Sequence, residues 1–417
     1  MSQNKKPSLR SRYFKLRIGK QGLAILLISI VVYMTWIFAF PLFGPILNNY
    51  FNGFLALGIE KGKWILLFIA GLITSNLLTG FIIDRKPQKT AYILTSAIIT
   101  AILTIIFSWI QFQDVYTYSI LIGLAAGIGS VAWGKFFSDN VSPEERGRVM
   151  GIAMGAMMPI AQLFLFLEPT ETTSYNFQIL IIGIWLFVTL LIIPFSGKNK
   201  DVTNEKPMKR KGHPPRQIIL YSIPVFLFYV VSGILMAMVF PTIQDNVSST
   251  IFYLIWAIPF LIGAIVGGIQ LDLRGRKFPT MVGLAVTGVS LAIFGILDLS
   301  IGYLFIIPLA IGYAFVAVSS NIIWADLAPG NSTGTFYGLG FALINAAQMI
   351  GLVIAGVSFG SASISQITLL MFFAAVALFI CIPPLILAEE ALPKALIEKR
   401  QLMEYLDGVK DRFARKK

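Results

Sequence analysis

Along this chain, runs of about 20 apolar residues recur between short polar stretches that hold most of the charge. A helix of that length crosses a hydrocarbon core of about 30 Å. Twelve such spans can be read, at approximately 22–47, 63–83, 90–110, 116–137, 148–167, 176–196, 217–243, 250–271, 278–297, 302–325, 335–357 and 365–387. Periodicity does not mark their ends, because a buried membrane helix is apolar on every side. Charges and turn residues mark them better. The pattern predicts an all-α membrane protein with twelve transmembrane helices.

The charges add a direction. Hydrophobic residues make up 56% of the chain and charged ones only 13%, and the net charge is +13. In a soluble protein that balance would suggest nucleic acid. Here the basic residues sit in short loops and tails, so no nucleic-acid partner is expected. With the N-terminus placed in the cytoplasm, all of the 33 Lys and Arg except Lys61 and Lys63 fall on the cytoplasmic side. The positive-inside rule then predicts an even number of spans with both termini cytoplasmic. The first apolar run is too long for the core of a cleavable signal peptide. The single cysteine, Cys381, cannot form an internal disulfide.

The one clear linker is the polar, basic stretch 197–216, with Pro207, Pro214 and Pro215. It divides the chain into a basic N-tail (1–20), a six-helix bundle (21–196), the linker, a second six-helix bundle (217–387) and a C-terminal segment (388–417). In that last segment Leu396, Leu402, Leu406, Val409 and Phe413 fall near helical spacing. A helix lying on the cytoplasmic face and a solvated tail both fit.

The two halves repeat. Gly80-Phe-Ile-Ile-Asp84-Arg85-Lys86 closes span 2, and Gly268-Ile-Gln-Leu-Asp272-Leu-Arg274-Gly275-Arg276-Lys277 closes span 8, with 188 residues between the aspartates. After spans 4 and 10, Asp139, Gly147 and Gly151 recur as Asp326, Gly334 and Gly338, each 187 residues on. Two signatures at nearly one offset indicate a tandem duplication with both halves in the same orientation. Parallel six-span repeats are a transporter architecture.

These residues resemble the major facilitator superfamily, in which a Gly-x3-Asp signature with trailing basic residues follows spans 2 and 8. The second copy is the fuller match; the first carries Pro87 where glycine is usual. The loops from Val141 to Arg148 and from Leu327 to Gly334 also resemble that family's loops. The resemblance covers the twelve spans and implies two parallel six-helix bundles around a central cavity. It also implies a conformational latch, in which Asp84 meets span 11 and Asp272 meets span 5. The residues of that latch would be Gly80, Asp84, Arg85, Arg146, Arg148, Gly268, Asp272, Arg276 and Lys277. The alternative is that they only fix topology.

No Asp or Glu lies in the middle of any span, and, apart from Lys63 and Arg148 at the first positions of theirs, Lys135 is the only basic residue within one, four residues before Asp139. Intramembrane carboxylates commonly serve as proton relays, so a simple proton-coupled mechanism is disfavoured, and so is a strongly charged substrate unless Lys135 faces the path. The candidate cavity residues are Tyr33, Trp36, Tyr229, Asn321, Asn345 and Gln348. For each, hydrogen bonding between helices is as good a reading as substrate contact. No Walker loop is present, and the single histidine, His213, has no metal-ligand company. The expectation is a monomeric plasma-membrane secondary transporter. It would carry a small neutral or lipophilic solute by alternating access, with no cofactor, metal or enzymatic activity. The alternative is a transport-inactive receptor or scaffold on the same fold.

Overall fold

The computed structural model describes residues 63–85, 95–96, 98–100, 102–103, 115–165, 213–236, 249–296, 303–330, 332–359 and 364–392. The expected first and sixth spans, most of the third, the linker before residue 213 and the tail after 392 lie outside the described residues. The long helices are α1 (Lys63–Ile83), α2 (Val115–Asn140), α3 (Arg146–Leu165), α4 (Pro215–Ile234), α5 (Ser249–Arg274), α6 (Lys277–Ile296), α7 (Ile306–Leu327), α8 (Thr333–Phe359) and α9 (Ile364–Ile380). A short α10 (Ile382–Leu387) follows, and a 3₁₀ turn at Tyr303–Phe305 leads into α7. Among the described residues there is no strand, and eight helical stretches are long and apolar enough to cross a membrane.

The helices sort their residues by neighbour. Along α5, Ile251, Leu254, Ile258, Ile262 and Val266 are exposed at intervals of three or four residues, while Phe260, Ala264 and Leu271 are buried. An exposed apolar stripe on a helix of this length is a lipid-facing surface. In α7, by contrast, every residue from Tyr313 to Leu327 is buried, so this helix stands inside the bundle. The principal contacts run α1 to α2, α3 to α5, α5 to α7, α6 to α7, and α8 to both α1 and α4. Without a hydrophobic force between helices in lipid, such contacts depend on close packing of small residues. Two of them, α1 with α8 and α3 with α5, join helices on opposite sides of the linker. They carry the site described next.

Candidate functional site

Each signature aspartate ends on the first turn of a sequence-distant helix. The Gly147 and Arg148 N–H groups at the start of α3 donate to Asp272 Oδ1 and Oδ2 at 2.8 and 2.9 Å. The Gly334 and Thr335 N–H groups at the start of α8 donate to Asp84 Oδ1 and Oδ2 at 2.9 and 2.6 Å. A helix start leaves backbone N–H groups without intrahelical partners and carries a partial positive charge, so a carboxylate satisfies both needs. Glycine makes the approach possible. A Cβ on Gly147 would stand 2.6 Å from Asp272 Oδ1, and one on Gly334 would stand 2.8 Å from Asp84 Oδ1. Gly268 packs on Gly147 and Gly151, as Gly80 packs on Gly334 and Gly338. The duplication thus reappears in space.

Behind Asp272 lies a buried chain of charges. Arg276 donates from Nη1 to Asp272 Oδ1 at 2.9 Å and from Nε to Asp326 Oδ2 at 2.7 Å. Its remaining N–H groups reach the carbonyls of Leu271 and Pro143 at 2.8 and 2.6 Å. Arg146 donates from Nη1 to the other oxygen of Asp326 at 2.5 Å, and Arg148 Nε reaches Asp272 Oδ2 at 3.1 Å. The side chains of Arg276 and Asp326 are fully buried. Burial opposes the charge of the Arg276 guanidinium, but Asp326 and Asp272 outweigh it and hold its pKa above the ordinary arginine value. The guanidinium stays a cation, and its planar fork suits two carboxylates at once.

The first copy is built differently. Lys135 of α2 stands 3.7 Å from Asp84 and 3.5 Å from Asp139, and the Thr335 hydroxyl adds a 2.8 Å hydrogen bond to Asp84. Arg85 is exposed at the end of α1. Lys277, at the start of α6, donates from Nζ to the Ile386 and Ala388 carbonyls at 2.6 and 2.9 Å.

Some residues of this site did not come forward from the sequence. Asp326 was visible only as the repeat of Asp139, and Lys135 only as one end of an i,i+4 pair. Glu390 carried no signal. It follows α10 and accepts from the Arg276 N–H at 2.6 Å and the Lys277 N–H at 3.2 Å. Beside it the Glu389 carbonyl accepts from Tyr221 Oη at 2.8 Å, and Gln217 Oε1 accepts from the Glu389 N–H at 2.8 Å. The segment after α10 therefore bridges the starts of α4 and α6.

The interior polar residues do not converge on one point. Tyr229 is buried, with Oη 2.9 Å from Ser320 Oγ. Next to it Tyr313 Oη lies 2.7 Å from Ser232 Oγ, within an aromatic cluster of Phe228, Trp256 and Phe260. The Asn321 amide donates to its own helix at Ala317 and meets Met154 Sδ of α3 at 3.7 Å. Asn345 is half-buried and donates to Phe341 O at 2.8 Å, while Gln348 donates to Met236 Sδ at 3.2 Å. Tyr33 and Trp36 lie outside the described residues. Met236 and Met154 as amide partners left no mark in the sequence, since a lone methionine there reads as core.

Comparison with known proteins bears on this arrangement. A family model for the Major Facilitator Superfamily matches residues 25–248. Facilitated glucose transporter member 10 of solute carrier family 2 from Xenopus tropicalis is 26% identical over 141 residues, which is 32% of this chain and 25% of that protein. The same transporter from Xenopus laevis is 25% identical over 141 residues, 32% of this chain and 26% of that protein. The matched stretch thus spans about a quarter of those relatives. In structure, the human organic anion transporter MFSD10 (TETRAN) matches with a TM-score of 0.69, covering 88% of this chain and 99% of that one. Its sequence identity is 14%, so that likeness concerns the fold alone.

Proposed function

Because the chain belongs to the Major Facilitator Superfamily, we propose that it is a secondary transporter that works by alternating access, built from twelve spans as two parallel six-helix bundles. The family makes it a multi-pass membrane transporter rather than an enzyme. Both termini and the linker lie in the cytoplasm of a plasma-membrane protein, and a monomer suffices. The signature end is then the cytoplasmic end, and the arrangement described above is the state closed on that side.

One observation carries this reading. Asp272 and Asp84 each cross to a helix from the other side of the linker and seat on its first turn. Contacts of this kind hold the halves together at one end and must part when that end opens. A scaffold on the same fold has no use for two such seats. Free energy lost from one access state alone shifts the balance between states, by tenfold for each ~1.4 kcal/mol.

For the substrate, the relatives' names offer glucose and organic anions. A neutral polyhydroxyl solute suits this chain better. The described span interiors present hydroxyls, amides and aromatic rings at Tyr229, Tyr313, Ser232, Asn321, Asn345 and Gln348, without a carboxylate. The cation set deepest in a described span, Lys135, already faces Asp84 and Asp139. A lipophilic neutral solute is the second choice, supported by the aromatic cluster around Tyr313.

The test pairs ligand stabilisation with flux. Purified protein is screened by thermal unfolding against neutral sugars, lipophilic neutrals and organic anions, since a ligand stabilises the state it binds. The stabilising compound is then followed into proteoliposomes. Asp272→Asn is expected to cut flux per folded molecule by roughly tenfold or more, because an N-terminal carboxylate and an arginine hydrogen bond together contribute about 2–4 kcal/mol to the closed state. Normal flux in that variant would reduce the aspartate to a topology marker.

A further inference from the structure

A protein that alternates between two access states has to populate both, so contacts that close one side need something that opposes them. Asp84 and Asp272 each seat on backbone N–H groups across the linker, and every one of those contacts favours closure. An opposing element is a group that is worse off when the halves meet. Tyr337 of α8 is such a group. It stands one turn past Gly334, whose N–H holds Asp84. Its ring lies on Gly134 of α2, from the other side of the linker, where a Cβ would stand 2.6–2.9 Å from the ring carbons. Phe341, one turn further along α8, flanks the ring with centroids 5.4 Å apart. Tyr337 is fully buried there, and its hydroxyl has no hydrogen-bond partner among the described residues. The other tyrosines buried among the described residues each find one. Tyr229 meets Ser320, Tyr313 meets Ser232, and Tyr221 donates to the Glu389 carbonyl. Those three bonds lie within the second half. The unpartnered hydroxyl belongs to the tyrosine wedged between the halves.

We propose that the Tyr337 hydroxyl is a counterweight to the cytoplasmic closure. It is stripped of hydrogen bonds when the halves meet, and it regains one when they part, from water or from an acceptor oxygen of the neutral solute. The inference rests on the closure reading given above. Burying a hydroxyl without a partner sacrifices its hydration, and buried polar groups are paired in most places for that reason. The ring and the hydroxyl pull in opposite directions. The ring packs on Gly134 and Phe341 and favours the closed state. The hydroxyl penalises that state alone, because parting the halves lifts Gly134 off the ring. The two aspartate seats outweigh the penalty in this structure, but by a narrower margin than they would against phenylalanine. A closure of this kind holds without locking. The position of Tyr337 fits that role, since it shares α8 with the Gly334 and Thr335 N–H groups that seat Asp84.

Spin labels at Ser142→Cys and Gly330→Cys report the closure, because both positions are exposed and lie on loops from opposite sides of the linker. The native Cys381 is buried. Distances are measured on the full chain in lipid nanodiscs without added solute. Asp272→Asn should raise the long-distance population. Adding Tyr337→Phe to it keeps the ring and removes the hydroxyl, so the ratio of long to short distances should fall again, by roughly tenfold, an amount typical of relieving one unpaired buried hydroxyl. In the parent background Tyr337→Phe should raise the unfolding temperature. Tyr221→Phe is the matched control, because it removes a hydroxyl whose bond to Glu389 lies within the second half. It should lower the unfolding temperature and leave the distance ratio unchanged. A Tyr337→Phe change that leaves the ratio where Asp272→Asn put it would overturn the proposal. So would a rise in the long-distance share, which would mean that a bound water satisfies the hydroxyl in the closed state. In both cases Asp272→Asn has still opened the protein, and only the role of Tyr337 falls. If Asp272→Asn does not move the distance, the closure falls, and this inference with it.

Discussion

Asp272 and Asp84 make the same contact with different support. Both carboxylates take two backbone N–H groups from the first turn of a helix across the linker. Behind Asp272 stand Arg276 and Arg148, with Asp326 and Arg146 completing a chain of four ion pairs at 2.5–3.1 Å. Behind Asp84 stand one lysine, at a distance of 3.7 Å, and the Thr335 hydroxyl. The carboxylates differ in exposure as well, 2% for Asp272 against 10% for Asp84. Duplication kept the seat and let the supporting charges diverge. The seat is therefore the part both halves need, and the support is where one half can be tuned without the other.

The largest expected break in this comparison is at Asp326. Asp326→Asn removes the charge that faces both Arg146 and Arg276, all three side chains being 5% exposed or less. Stripping one partner from a buried pair leaves uncompensated charge, and such changes cost about 3–5 kcal/mol. The repeat-related Asp139→Asn alters a side chain 31% exposed to solvent, which faces Lys135 at 3.5 Å, so a loss of under about 1 kcal/mol is expected. Folded yield and thermal unfolding in detergent read both variants. Equal losses would mean that the buried arginine chain does not set the second half apart.

How much of this was readable beforehand depends on the kind of interaction. The described spans and the duplication were legible because lipid imposes length and apolarity on every crossing segment, and because Gly80, Asp84, Gly268 and Asp272 are needed at fixed spacing. That Arg146 and Arg276 would meet on Asp326 was not legible: the partners are 180 and 50 residues apart, and no periodicity links them. Glu390 was hidden for the same reason, 114 residues from Arg276. Lys135 was visible but misleading, since its i,i+4 partner Asp139 gave a sufficient local reason for it, and the contact with Asp84 needs the tertiary fold. The interior residues stand out in the sequence by polar character near mid-span, which does not say where each side chain points. Asn345 turns back to its own helix at Phe341, a local bond that the sequence permits at any buried asparagine.

Backbone approach gives a second, smaller contrast. A Cβ at Gly268 would run into the Gly147 backbone, whereas one at Gly80 would stand 3.1 Å from Gly334 O and Gly338 Cα. Backbone cannot yield as a flexible side chain can, so Gly268→Ala must push α3 and α5 apart, at about 1–3 kcal/mol. Gly80→Ala needs shifts of only a few tenths of an ångström and should fall below about 1 kcal/mol. Thermal unfolding of the two variants side by side measures the difference. A larger loss for Gly80→Ala would show that α1 and α8, not α3 and α5, make the tighter seat.

The smallest expected effect sharpens the comparison from outside the signatures. Glu390 caps the start of α6 through the N–H groups of Arg276 and Lys277, and it lies against Gly275, whose φ of +90° sets the turn. No acidic residue stands in the first turn of α6 itself, so this carboxylate from beyond α10 is what meets the helix start. Glu390→Gln keeps the shape and an acceptor oxygen but removes the charge. A carboxylate at a helix N-terminus contributes about 0.3–1 kcal/mol when exposed and up to about 2 kcal/mol when partly buried; the glutamine keeps an acceptor oxygen, so a loss toward the lower end is expected. It should also shrink at high salt, since charge near the surface is screened within about 10 Å at 0.1 M ionic strength. Gly275→Ala at the same turn should cost more, because it meets both an unfavourable φ and the Glu390 carboxylate, a Cβ there standing 2.6 Å from Glu390 Cδ. Unfolding temperatures of the two single variants and of the pair, at low and high salt, separate charge from strain. If Glu390 merely packs on the turn, Glu390→Gln will match the parent at every salt concentration. If it holds Arg276 in place through its backbone, the effects of Glu390→Gln and Gly275→Ala will fail to add, as expected for residues in direct contact.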